Sequence, residues 1–321
     1  MTGEPGSPAQ QWAKIEAEQH RLVFRPAHDY VIRAAARLAE RHGGDLVQGF
    51  VWLALLQACR GAEENPPWTP RPAGPRPLAR SLNLPYETVR RKLKRLEAQG
   101  LCVQTEDGAF TVDGAALNGP ERRALADVEL AVLRTIIQRT LTTGVDLLAL
   151  AQQSGKPAAP SPDPALSAQA LTDSFLLRMI EVGGEANGDI VDTYVLGGLN
   201  VLNAEVFTYD AELARRYARP DTPPEEGVRA AVTIARLAAE LHLPRETVRR
   251  RMLHFESLGW VERIAGGYQM SMARMQQPQI MAVGGVIARQ FVGLLAGLRQ
   301  VGAALGEAAP DVEPDSGGWI L

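Results

Sequence analysis

Two short segments of this sequence concentrate side chains that can bind an anionic polymer. Both contain the order Glu-Thr-Val-Arg-Arg, at residues 87–91 and 246–250. A guanidinium group can donate paired hydrogen bonds to guanine, a carboxylate can accept from cytosine, and hydroxyl groups contact phosphates. These residue types in this order therefore indicate recognition of a nucleic acid.

No pattern typical of catalysis or metal binding accompanies these segments. The five histidines form no HExxH motif and no cluster with cysteine, and the sequence contains no Walker, GxSxG or GxGxxG segment. We therefore expect no enzyme activity, no cofactor and no metal. Cys59 and Cys102 lie in no CxxC spacing, so they are expected to be core residues of a chain that stays in a reducing cytoplasm.

Charge is distributed unevenly along the chain. Its 321 residues are 45% hydrophobic and 22% charged, as in a globular protein of two domains, and the net charge is −3. That balance argues against a protein that coats nucleic acid indiscriminately. Residues 76–100 nevertheless contain seven basic and two acidic side chains, and residues 232–259 contain five and three. Two local positive patches therefore suit selective binding.

The two segments belong to an internal repeat. Residues 82–100 align without gaps on residues 241–259, with ten of nineteen positions identical. Upstream, residues 44–56 align on residues 188–200 at an offset of 144 instead of 159, which implies an insertion in the second copy. We predict an internal duplication in which each half has two helices, an insert, the repeated block and another helix.

Each repeated block predicts a short helix, a turn, a second helix and a β-hairpin. We call these blocks the first head (residues 76–112) and the second head (residues 232–271). Proline suits the first turn of the second helix, and the glycine after it suits a left-handed helix end. Apolar residues at helical spacing form a stripe on that helix and leave its basic residues on the other faces. The stripes are Val89, Leu93 and Leu96 in the first head and Val248, Met252 and Phe255 in the second.

The heads resemble the winged helix-turn-helix of bacterial transcription regulators, notably the catabolite-activator and GntR-type heads, over about 37 residues of each half. The resemblance implies a mainly α protein with two tandem winged-helix domains, flanking helices and double-stranded DNA as partner. It also implies base contacts from an arginine, a glutamate and a second arginine. No cyclic-nucleotide β-roll pattern precedes either head, so membership of the activator family is not implied. The implied base-contact positions are Tyr86, Glu87 and Arg91 in the first head and Arg245, Glu246 and Arg250 in the second.

Neighbouring residues on the same helices suit phosphates, which position a head without reading sequence. The first head is the more basic one, but Tyr86 replaces the first arginine, and Glu106 and Asp107 make the tip of its hairpin, the wing, acidic. We therefore expect the second head to specify the site and the first chiefly to anchor. If the heads lie one duplex turn apart, about 34 Å, one chain would contact two adjacent major-groove sites, and a homodimer is equally compatible. The expected phosphate contacts are Thr88, Arg90, Lys94, Thr247 and Arg249.

Two other functions remain open at this point. The heads would serve protein contact in a scaffold, or the protein would respond to a small-molecule effector of unknown identity. A ligand pocket could be lined by residues of both halves, although core packing is the favoured interpretation. These residues are Phe50, Trp52, Leu53, Leu56, Tyr194, Val195 and Leu199. Asp45 and Asp189, each before an apolar run, are expected to be helix N-caps.

The domain boundaries follow from these patterns. We assign residues 1–18 and 306–321 to mobile ends, 19–150 and 171–305 to the two halves, and 151–170, with four prolines, to a linker. No secretory signal is recognised at the N-terminus. Residues 280–298 are apolar but contain Arg289 and Gln290 at their centre, so a packed helix is expected in place of a membrane span.

Overall fold

The computed structural model describes residues 15, 17–154, 159–225 and 227–306. Most of the two ends assigned as mobile lies outside these residues. Within the first end, however, Ile15 is buried in the hydrophobic core. Order therefore begins before residue 19, where the first half was expected to start.

The described residues are mainly α-helical, as predicted, with four short strands. The elements up to residue 154 are α1 (His20–Arg41), α2 (Leu46–Arg60), α3 (Pro75–Ser81), α4 (Tyr86–Ala98), β1 (Val103–Gln104), β2 (Phe110–Thr111), α5 (Gly114–Asn118), α6 (Pro120–Thr142) and α7 (Leu147–Ser154). Those after it are α8 (Pro164–Asn187), α9 (Ile190–Thr208), α10 (Ala211–Arg216), α11 (Ile234–Glu240), α12 (Arg245–Ser257), β3 (Val261–Ile264), β4 (Gly267–Met270), α13 (Met272–Met275) and α14 (Pro278–Gln300).

Similar local signals begin helices at equivalent places in the two halves. Asp45 and Asp189 accept hydrogen bonds from the third backbone N–H of α2 and α9, which confirms both as N-caps. After each hairpin a short helix leads into a 23-residue helix, α6 or α14, that begins with proline. The order of two helices, head, short helix and long helix therefore occurs twice.

The linker was predicted to extend too far. Residues 164–170 form the first turns of α8, and Leu166 and Ala168 are buried. Pro164 starts this helix because a proline at the first helical position has no N–H that needs a partner. Asp163 caps it by accepting from the backbone N–H of Leu166.

One hydrophobic core extends through both halves. Tyr30 of α1, Phe175 of α8 and Phe291 of α14 form an aromatic cluster with ring centroids 5.7–6.2 Å apart. The Tyr30 hydroxyl donates to Glu129 of α6 at 3.1 Å, and the same carboxylate accepts from Arg37 at 2.6 Å. Burial, together with Glu129, raises the pKa of Tyr30 well above its usual value. The two halves thus share their interior.

Helix α14 is the one described helix long and apolar enough to cross a membrane. Half of its most apolar 18-residue stretch is buried against the rest of the protein, and α7, α8 and α1 pack on this helix. Length and composition alone do not distinguish a span from a core helix. Helix α14 is therefore packed on the protein over part of its surface.

Truncating a buried aromatic side chain in the second head tests how far this core determines stability. Phe255 is fully buried and stacks on Trp260, with 5.9 Å between ring centroids. We expect Phe255→Ala to lower the free energy of unfolding by about 3–5 kcal/mol, measured by urea denaturation.

Leu253→Ala is the matched control on the same helix. Because the Leu253 side chain is 43% exposed, its removal should change stability by no more than about 0.5 kcal/mol. Equal losses in the two variants would show that this head does not depend on its apolar stripe.

Candidate nucleic-acid interface

Each head contains the predicted helix, turn, helix and hairpin. Strands β1 and β2 pair antiparallel in the first head, as do β3 and β4 in the second. The backbone before each first helix adds one further bridge, Ala73 to Phe110 and Val232 to Tyr268. Each hairpin is therefore paired with the backbone segment just before the first helix of its own head.

The same turn joins the two helices in both heads. Asn83 and His242 occupy equivalent positions with φ of 50° and 49°, a conformation in which asparagine and histidine are enriched among non-glycine residues. Leu84 N–H donates to the Ala79 carbonyl at 2.9 Å, and Leu243 N–H donates to the Ala238 carbonyl at 3.0 Å. The second helix thus leaves the first with the same local backbone geometry in each head.

The apolar stripes lie where the sequence predicted them. All six stripe residues are fully buried, and Gly100 and Gly259 end the helices with φ of 74° and 68°. The opposite faces of α4 and α12 are open to solvent. Those faces carry every residue expected to contact a base.

The exposed faces contain ion pairs within each helix. Glu246 accepts two hydrogen bonds from Arg249, both at 2.8 Å, and Glu87 accepts from Arg90 at 3.0 Å. The hydrogen bonds from Arg249 lower the pKa of Glu246. In the protein without DNA, the glutamates expected to contact bases are therefore paired with the arginines expected to contact phosphates.

The other predicted contacts differ in availability. Arg91 and Arg245 are exposed, and no hydrogen bond or ion pair engages either one among the residues that the structure describes. Arg250 is exposed and lies 4.0 Å from Glu246. Tyr86 is 39% exposed, with the Arg76 guanidinium 5.8 Å from its ring centroid.

The remaining predicted phosphate contacts are less open. Thr88 and Thr247 are half-buried. Lys94 donates at 2.7 Å to both Glu97 and Gln104, and so ties α4 to β1. A phosphate would have to compete with these protein acceptors for Lys94.

Sequence reasoning missed an ion pair that attaches each second helix to the rest of the chain. Lys92 and Arg95 of α4 bind the carboxylate of Asp45, Arg95 at 3.2 Å. At the equivalent place Arg251 binds Asp189 at 2.7 Å and lies 2.9 Å from Asp192. Both N-caps thus also hold a basic helix, and the recurrence of an aspartate and a basic residue at aligned positions of the two copies was the available signal.

The two hairpins differ at their tips. In the first, Asp107 accepts from Thr105 and from the Ala109 backbone N–H, so its carboxylate shapes the turn. In the second, the turn falls at Ala265 and Gly266. A β-carbon at Gly267 would lie 2.4 Å from the Val232 carbonyl oxygen, so only glycine fits there.

The turn between α1 and α2 contacts both heads. A β-carbon at Gly44 would lie 3.1 Å from the His242 carbonyl oxygen in the second head. The next residue, Asp45, binds α4 of the first head, and Gln48 donates to Gln99 there at 2.9 Å. The heads therefore meet the shared body at neighbouring points.

No known family model matches this chain, and neither a curated protein nor a solved structure is detectably similar to it. The interpretation of the site therefore depends on the residues and on their geometry.

Replacing the capping aspartates separates their two roles. Asparagine caps a helix as well as aspartate does but carries no charge for the basic helix. Because Asp45 and Lys92 are only 18% and 15% exposed, Asp45→Asn should cost about 1–2 kcal/mol in urea unfolding, and Asp45→Ala about 1 kcal/mol more.

The more exposed pair in the second half provides the comparison. Asp189 is 46% exposed, so Asp189→Asn should cost less than about 1 kcal/mol and the loss should shrink at high salt. If Asp45→Asn leaves the free energy of unfolding unchanged, the contact between Asp45 and Lys92 does not hold α4.

Proposed function

We propose that this protein is a transcription regulator that binds double-stranded DNA through two winged helix-turn-helix heads produced by internal duplication. The observation that carries the proposal is the exposed basic face of α12, with Arg245 and Arg250 open to solvent and the apolar stripe buried beneath them. A helix of this kind fits the major groove.

The equivalence of the heads supports the duplication. The matched turn residues, the matched glycine helix ends and the bridges at Ala73 and Val232 recur at the offset given by the sequence repeat, to within one residue. The ion pairs of Asp45 and Asp189 recur with them. This agreement at local and long-range positions favours two copies of one unit.

The geometry suggests how the second head would read DNA. In the protein alone, Arg249 holds the Glu246 carboxylate in a bidentate pair, and an exposed pair of this kind contributes little to stability. On DNA, Arg249 would exchange Glu246 for a phosphate and free the carboxylate to accept from cytosine. Arg245 and Arg250 would reach guanine edges.

Protein contact is the alternative that specific observations favour. Val103 is 58% exposed on the first wing, and Leu258 is 46% exposed after α12. Exposed apolar residues near the heads suit a partner protein or a second copy of this chain, and the acidic tip at Glu106 and Asp107 would repel phosphate. This scaffold function would leave random duplex DNA unbound.

A salt titration of affinity for random duplex DNA distinguishes the two functions. Six phosphate contacts would give a slope of about −5 in a plot of log affinity against log salt, because each contact releases counterions. No measurable binding at about 50 mM salt would exclude the DNA function. Selection of bound duplexes from a random pool, followed by footprinting, would then show whether one head or both engage.

Two neighbouring arginines of α12 should give different losses. We expect Arg250→Ala to cost about 1–3 kcal/mol on the selected sequence and much less on random DNA, because it removes a base contact. Arg249→Ala should weaken all duplexes alike and reduce the salt slope by about one.

Arg178→Ala is the matched control. Arg178 is also exposed and also pairs with a glutamate three residues along its helix, at 2.7 Å from Glu181, but it lies outside both heads. Its removal should leave binding unchanged. Equal losses for Arg249→Ala and Arg250→Ala on specific and random DNA would contradict the assigned roles.

A further inference from the structure

A cavity lies among α1, α8, α9 and α14, beside the second head. It has a volume of about 120 Å³, and Phe24, Phe50, Met179, Tyr194, Met270 and Ile287 are among the residues that line it. A cavity of about 150 Å³ admits benzene. The size therefore suits a molecule of about one aromatic ring.

One wall of the cavity is a stack of flat rings. His20, Phe24 and His28 follow one another along α1, with successive centroids 5.9 and 5.1 Å apart. Glycines on the facing helices admit these rings, because a β-carbon at Gly197 would lie 3.0 Å from His28 Nε2 and one at Gly284 would lie 3.3 Å from His20 Nε2. Such a wall favours a planar ligand.

Polar groups on the wall are few, and Arg21 is the one arginine, lysine or carboxylate residue among the lining residues that the structure describes. The Asn200 side chain lies 3.2 Å from His28 Nδ1, and burial lowers the pKa of His28 to about 4, so this imidazole is neutral at physiological pH. The Arg21 guanidinium is engaged by the carbonyls of Thr222 and Pro220 at 2.7 and 3.0 Å. Because the Arg21 donors are already used by these carbonyls, the wall favours a neutral ligand over a charged one.

One hydroxyl in the wall lacks a hydrogen-bond partner. Thr193 Oγ1 is buried and makes no hydrogen bond within the described ranges 15, 17–154, 159–225 and 227–306. A buried hydroxyl without a partner is unfavourable, and a ligand hydroxyl or carbonyl would satisfy it.

The cavity distinguishes the second half from the first. At the positions of Gly197 and Asn200, the aligned residues of the first half are Leu53 and Leu56, both buried in the core. Leucine at both positions would fill space and remove the polar group. The second copy instead has the residues that leave room and a hydrogen-bond group.

We propose that this cavity binds an uncharged molecule of about one aromatic ring that carries a hydroxyl or carbonyl group, and that the bound molecule stiffens the second head. The site does not depend on DNA binding. Its use to regulate DNA binding rests on the proposed function.

Hydrogen bonds connect residues of the cavity wall directly to the second head. Tyr194, which lines the cavity, donates to the Leu241 carbonyl at the end of α11 at 3.1 Å. Met270, another lining residue, donates its backbone N–H to Asn203 of α9 at 2.9 Å. An occupant that restrains α9 would therefore restrain the end of α11 and strand β4 of the second head.

The test is a calorimetric titration of the full chain without DNA. Phenol, indole and toluene are the neutral probes, and benzoate is the charged probe. We expect saturable binding of phenol and indole, and weaker binding of both toluene and benzoate. Val283→Phe, which adds bulk to a lining residue of α14, should weaken phenol binding by about tenfold or more. Asn200→Leu should remove the preference for phenol over toluene.

Val286→Phe is the matched control, since Val286 is half-buried on the same helix but does not line the cavity. It should bind phenol as the parent does. Hydrogen exchange should slow at the Met270 and Leu243 amides when phenol is bound, which measures stiffening without DNA. Absence of binding by all three neutral probes, equal binding by Val283→Phe, or unchanged exchange would overturn the proposal.

Failure of the cavity proposal can be distinguished from failure of the proposed DNA binding. Phenol binding in a chain that ignores duplex DNA would support the site and reject only the proposed function. DNA binding in a chain that takes up no neutral probe would do the reverse.

Discussion

In each half, one aspartate binds two helices at once and so ties the basic helix of the head to the body of the protein. The Asp45 carboxylate satisfies a free N–H at the start of α2 and also binds Lys92 and Arg95 of α4. Asp189 does the same for α9 and Arg251. A helix N-terminus and a cation both favour a carboxylate, so the two contacts reinforce each other. The direction of the basic helix is thereby fixed relative to the core, and the exposed arginines depend on that direction.

The shared core determines what a signal can do in this molecule. Because Tyr30, Phe175 and Phe291 come from both halves, neither head sits on an independent domain. Helix α9 lies between the core and the second head, where Asn203 bonds to Ala230, Tyr268 and Met270. Hydrogen bonds thus connect α9 directly to the second hairpin.

Local features of this fold were predictable because they depend on nearby residues. The stripe residues, the N-caps Asp45 and Asp189 and the glycine helix ends all follow from spacing within a turn or two of helix. The start of α8 was missed because proline both ends and begins helices, and only burial of Leu166 shows which applies. The Asp45–Lys92 pair and the cavity were missed because they join residues far apart in sequence. Of the seven residues named for a possible pocket, Phe50 and Tyr194 line the cavity. Trp52, Leu53, Leu56, Val195 and Leu199 do not.

The charge of the first head is less available than its sequence suggests. Its net positive charge led us to assign it an anchoring role, yet Lys92 and Arg95 are engaged by Asp45, Lys94 by Glu97 and Arg90 by Glu87. The pair of Lys92 with Asp45 is largely buried and structural, so Lys92 is unavailable to a phosphate. The exposed pairs of Arg90 and Lys94 can exchange a carboxylate for a phosphate at little cost. If this head anchors DNA as proposed, its contribution would depend on how many of its exposed ion pairs open on DNA, and not on the number of its basic residues alone.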